Sequence, residues 1–100
     1  MVRHIVVWRL KEVAALTPQS PEWIEMQKNI AAMRAGVPGL NQVDLSLDQS
    51  RTPDSGDLIL YSEFESWTAL DGYQVHPLHE DFKKLLGPLR YERRMVDYEI

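Results

Sequence analysis

The side chains in this sequence best suited to moving protons at neutral pH are its three histidines, His4, His76 and His79. Removing a proton next to a carbonyl needs a base whose pKa lies near neutrality, and histidine supplies one. Tyr73 stands just ahead of the run His76-Pro77-Leu78-His79. A phenol hydrogen bond could orient such a base or polarise the carbonyl. Pro77 must break or bend a helix here, and that break could swing His79 back over a pocket near Tyr73. A plainer alternative stands beside this one: Tyr73 fills helix–sheet packing, and His79 caps a helical stretch or bonds locally. His4 carries the same two meanings, because a lone strand histidine is commonly a satisfied core residue.

Other chemistries find less support. His76 and His79 have a metal-like spacing, but a proline turn separates them and no cluster of further ligands backs them, so neither metal nor cofactor is expected. Cysteine is absent, which removes disulfides, thiolate catalysis and cysteine metal sites together. Gly36-Val37-Pro38-Gly39 is a helix stop rather than a phosphate loop, and no nucleophile motif occurs. The net charge of -4 argues against nucleic acid as a partner. Arg90, Arg93 and Arg94 cluster, but Glu92, Asp97 and Glu99 are interleaved with them, the pattern of a solvated strand surface. Trp8, Trp23, Trp67 and Tyr73 read as core and cavity wall, with the capacity to grip an apolar ligand.

The elements that must position these residues follow from periodicity. In His4 to Leu10, alternation sets His4, Val6, Trp8 and Leu10 on one face and Ile5 and Val7 on the other. Both faces carry apolar groups, which predicts a central strand covered on each side. After a polar connection, Ser20 as N-cap and Pro21 at the first helical position open a helix. Its stripe is Trp23, Met26, Ile30, Met33 and Val37. Asn41 to Asp48 alternates with one wet face, the mark of an edge strand. Gln49 to Gly56 is a polar turn and the segment expected to be most mobile. Asp57 to Glu65 is a third strand, with Leu58, Leu60, Ser62 and Phe64 on one face. Ser66 caps a helix carrying Trp67, Leu70 and Tyr73. A second helical stretch runs from His79 to Leu86, and Arg90 to Ile100 is a fourth strand.

At 100 residues, 44% of them hydrophobic and 26% charged, the chain has room for one domain, residues 1–100. The order β-α-β-β-α-β gives an α+β, ferredoxin-like arrangement: an antiparallel four-stranded sheet with strands 1 and 3 in the middle and both helices on one face. The other face is bare, yet strand 1 has apolar residues for it. Leaving it in water forgoes about 25 cal/mol per Å² that could be buried. A second copy of the same sheet is the simplest cover, which predicts a homodimer packed sheet to sheet. No segment is long enough to span a bilayer, and the apolar run Ile5 to Trp8 is too short for a signal peptide. The expected setting is the cytoplasm, with no membrane partner.

Three segments carry a family resemblance: Val2-Arg3-His4-Ile5-Val6-Val7-Trp8, Ser62-Glu63-Phe64-Glu65-Ser66, and Tyr73-Gln74-Val75-His76-Pro77-Leu78-His79-Glu80-Asp81-Phe82. In order and spacing they resemble the stress-responsive A/B barrel (Dabb) family across nearly the whole chain. That resemblance implies a dimeric α+β barrel with a cavity in each subunit and implies no particular activity. One plant branch comprises cofactor-free polyketide cyclases whose working pair, a tyrosine and a histidine, corresponds to Tyr73 and His79. His4 matches a cavity-lining position of the same branch, and Val6, Trp8 and Leu58 are expected beside it. Leu58 stands where that branch has a histidine, and Trp8 is bulky for an interior position, so a smaller and less polar cavity is expected. The leading expectation is a homodimer binding a small, largely apolar molecule, its activity unassigned. A cyclase- or isomerase-like enzyme using His79 and Tyr73 is the alternative. Heme or oxygen handling, known in related dimeric barrels, is a third possibility.

Overall fold

A computed structural model describes all of residues 1–100. Four strands, β1 (Val2–Leu10), β2 (Leu40–Leu47), β3 (Leu58–Phe64) and β4 (Arg90–Glu99), form one sheet in the order β2-β3-β1-β4. Every neighbouring pair is antiparallel. Three α-helices, α1 (Pro21–Gly36), α2 (Trp67–Gln74) and α3 (Pro77–Leu86), and one 3-10 turn at Val13–Ala15 complete the chain. This is the ferredoxin-like α+β fold, with the first and third strands central.

The helices bury one face of the sheet. His4, Val6, Trp8 and Leu10 of β1 are buried there, as are Leu58, Leu60, Ser62 and Phe64 of β3 and Val43 and Leu45 of β2. Met26, Ile30, Met33 and Val37 of the α1 stripe close over them, together with Leu70, Tyr73, Phe82 and Leu86 from the other two helices. The alternate positions Ile5, Val7, Ile59 and Tyr61 are only half-buried, because no helix lies on their side. Polar Asp44 and Ser46 of the edge strand β2 share that open face, which accounts for the wet side of β2. The last strand is mostly exposed: Met95 remains 44% accessible although its register places it on the helix side, opposite Val6.

Several local details differ from what the sequence suggests. Ser20 sits at the N-cap of α1, but its hydroxyl makes no bond to the helix. It accepts from the Thr17 amide at 2.7 Å and donates to the Thr17 carbonyl at 2.8 Å, tightening the preceding turn instead. The third helix begins at Pro77 rather than His79. His76 is its N-cap, with Nδ1 accepting from the Leu78 amide at 3.1 Å. The segment between β2 and β3 is hydrogen-bonded at both ends, which its polar composition alone does not reveal. Asp48 accepts from the Arg51 amide, and the Asp57 side chain accepts from the Leu10 amide, both at 2.8 Å. Gly56 presses on the open sheet face so closely that an added Cβ would stand 2.2 Å from Val7 Cγ1.

Candidate active site between the sheet and the last two helices

A cavity of about 350 Å³ opens where α2 and α3 leave the sheet near β4. Its wall is apolar along Val6, Trp8, Leu60, Phe82 and Leu86 and polar at His4, Tyr73, Gln74 and His79. Lys83, Arg90 and Arg93 complete one side. Pro77 produces this geometry: it ends α2 within three residues of Tyr73 and starts α3 at a new angle, so His79 returns to the end of the helix that carries Tyr73. The two rings lie with centroids 4.4 Å apart, tilted by 47°.

His79 Nδ1 lies 3.2 Å from the Gln74 carbonyl. A carbonyl only accepts, so Nδ1 carries the proton and the neutral ring keeps a lone pair on Nε2. Burial lowers the pKa of His79 below its ordinary 6.5; the Lys83 charge and His4 push the same way, and the Gln74 bond opposes them. The ring is therefore neutral at physiological pH and equipped to accept a proton.

Tyr73 is 1% exposed, and its hydroxyl has no hydrogen-bond partner. An unpartnered buried hydroxyl is expensive, at about 1–3 kcal/mol. Burial also raises its pKa well above 10, with the nearby Arg93 charge acting in the opposite sense. The phenol stays protonated and offers one O–H donor with nothing of the protein to receive it.

His4, 1% exposed, has its Nδ1 2.5 Å from Asp97 Oδ1 on the neighbouring strand. The carboxylate fixes the ring orientation and turns Nε2 away from β4. The His4 ring meets Tyr73 edge-on, with centroids 6.0 Å apart, and Phe64 at 6.4 Å. No three acidic or histidine side chains converge closely enough to hold a metal ion.

The structure thus brings His4, Val6, Trp8, Tyr73 and His79 to one cavity. Leu58 lies elsewhere: it pairs with Trp8, whereas the cavity wall is met by Leu60, one pair nearer His4 and opposite Val6. Asp97 lies 93 positions along the sequence from His4 and becomes its partner only through the β1–β4 register. The arginine cluster divides across the sheet. Arg94, opposite Val7, pairs with Glu92 at 3.5 Å on the open side. Arg93, opposite Trp8, turns with Arg90 to the cavity. Alternation along β4 carried that signal, since Arg93, Met95 and Asp97 share a face.

The family model described as "Stress responsive A/B Barrel Domain" matches residues 2–100. No curated protein matches the chain. Among solved structures, a dimeric ferredoxin-like protein of unknown function from Bacteroides fragilis is 26% identical, with a TM-score of 0.78 over 99% of this chain and 95% of that one. An Arabidopsis thaliana protein is 24% identical, with a TM-score of 0.75 over 100% and 95% of the two chains. A hydroxynitrile lyase from Passiflora edulis is 19% identical, with a TM-score of 0.76 over 99% and 92%. At these last two identities the likeness is one of fold.

Proposed function

The chain belongs to the stress responsive A/B barrel domain family, and from that premise we propose a homodimer, packed sheet to sheet, whose subunits each bind a small molecule with a largely apolar body in the helix-side cavity. The carrying observation is the Tyr73 hydroxyl, buried without a partner on the wall of a cavity of about 350 Å³. A ligand oxygen would satisfy it, while Trp8, Phe82 and Leu86 supply apolar contact. The dimer draws support from the half-buried Ile5, Val7, Ile59 and Tyr61 and from the relative described as dimeric. Cytoplasmic residence belongs to the same proposal; no helix is long and apolar enough to cross a membrane.

The test is saturation-transfer NMR of a small-molecule library against the wild type and a cavity-filling Val6→Phe variant. Compounds that bind the first and lose binding to the second support the cavity. An unchanged set of binders, with the variant still folded, refutes it.

A second reading is favoured by one specific arrangement, the lone pair of His79 beside the donor of Tyr73. His79 Nε2 would take a proton from carbon next to a ligand carbonyl, and the Tyr73 O–H would hydrogen-bond to the developing enolate oxygen. Solvent deuterium should then appear at that carbon of a bound carbonyl compound. His79→Ala should abolish the exchange and leave the melting temperature nearly unchanged; a variant that chiefly unfolds assigns His79 a structural role.

A further inference from the structure

We propose that the cavity selects small acids, with a carboxylate held at the mouth by Arg90 and Arg93 and an apolar body lodged against Trp8, Phe82 and Leu86. This rests on the cavity-binding proposal above and adds the ligand's charge.

The protein as a whole is negative, with 15 acidic against 11 basic side chains. The cavity reverses that balance: its lining includes Lys83, Arg90 and Arg93 and no aspartate or glutamate. Arg94 pairs with Glu92, Arg34 with Asp44 and Arg51 with Asp57, while Arg3 and Arg9 lie over the Tyr98 and Tyr91 rings. Arg90 and Arg93 make no ion pair. The Arg93 guanidinium meets only the Met95 sulfur, at 3.7 Å along the same face of β4. Lys83 is weakly engaged with Glu80 at 3.4 Å, both groups being well exposed.

Position reinforces the charge. Arg93 stands opposite Trp8 and Arg90 opposite Leu10, both on the helix side of an edge strand that no helix covers. Their side chains can therefore reach a ligand without leaving the solvent that keeps them hydrated. A guanidinium presents paired donors that match a carboxylate, which a neutral amide cannot reproduce. The C-terminal end of α3 also reaches the rim at Gly87 and bears a partial negative charge of about 0.5. The two unpaired arginines outweigh it. Deeper in, the unpartnered Tyr73 donor would bond a second ligand oxygen, such as a carbonyl or hydroxyl. A ligand with a charged end at the mouth and an oxygen further in accounts for both features. The bare sheet face lies on the other side, so these residues stay accessible in a sheet-to-sheet dimer.

The experiment is isothermal titration of the full chain with 2-naphthoate and with neutral 2-naphthamide, repeated on Arg90→Gln/Arg93→Gln. The wild type should bind the carboxylate about tenfold or more tightly than the amide. That preference should shrink as sodium chloride is raised. The double variant should bring the carboxylate down to the affinity of the amide and leave the amide unchanged. Equal binding of both compounds by the wild type, or a preference that survives in the double variant, overturns the charge assignment while leaving the cavity reading intact. Binding of neither compound overturns both. Both arginines are exposed, so the variant's thermal melt should match the wild type's and confirm that only the mouth has changed.

Discussion

Tyr73 has a hydroxyl that folding strands and an apolar ring that folding uses. Its ring packs against Phe64 at 5.1 Å and His79 at 4.4 Å, within the core. Tyr73→Phe keeps the ring and removes the unsatisfied oxygen, so it should leave stability unchanged or raise it by up to about 2 kcal/mol in chemical denaturation. Ligand affinity should fall in the same variant. A loss of stability instead would mean that the hydroxyl is bonded within the folded protein. The neighbouring imidazole allows a prediction of opposite sense. His79 has a folded-state pKa lowered below 6.5, so the unfolded chain binds its proton first as the pH falls. Above that value the group is neutral in both states and contributes no pH dependence. Below it, stability declines until the folded pKa is passed. His79→Gln should flatten this part of the stability–pH curve, and NMR titration of the His79 ring should give a midpoint below 6.5. Both residues were visible in the sequence through the proline that follows Tyr73 and precedes His79. The Asp97 partner of His4 was not, because it depends on strand register across a long sequence separation; alternation along β4 groups Arg93 with Asp97 but does not say which face of that strand meets the helices.

At the scale of elements, what was readable had strong periodicity. The α1 stripe lies in the core as spaced, and alternation along β1 divides buried Val6 and Trp8 from half-buried Ile5 and Val7. Connections were less legible, since a polar composition does not reveal whether polar groups meet water or one another. The segment between β2 and β3 shows why. The β1–β3 ladder ends at Trp8 and Leu58, and just beyond it the Leu10 amide is bonded by the Asp57 carboxylate from the far side of the loop. Asp57 also donates its own amide to the Trp8 carbonyl at 2.8 Å. Asp57→Ala should therefore lower stability by about 1–3 kcal/mol and speed hydrogen exchange at Leu10. A change within a few tenths of a kcal/mol would show that the loop is held by other means. The turn from α1 into β2 is constrained differently. Gly39 has φ of +77°, and a Cβ there would lie 2.5 Å from that of Ala69 at the start of α2. Gly39→Ala meets both backbone strain and a clash, and a loss above about 1 kcal/mol is expected in the same denaturation assay.

Across the whole molecule, one sheet face is roofed by three helices and the other carries Ile5, Val7, Ile59, Tyr61, Val96 and Tyr98 with no element over them apart from Gly56 at Val7. Val96 is 59% exposed and Tyr98 is 37% exposed. A specific interface removes about 800 Å² per partner, somewhat more than half of it apolar. At about 25 cal/mol per Å², that is on the order of 10 kcal/mol per subunit before the entropy of association is subtracted. The sum suffices to hold two copies together and is comparable with the whole stability of a small domain. A dimer made this way leaves the cavity, on the helix side, free in each subunit. Val96→Glu would place a charge on the apolar part of the open face without touching the cavity lining. The most direct measurement is sedimentation equilibrium of the wild type and Val96→Glu at micromolar concentration. The wild type should sediment at twice the 11.6 kDa chain mass and the variant at or near the chain mass while still folded. A monomeric wild type, or a variant that stays fully dimeric, would contradict the assignment of this face.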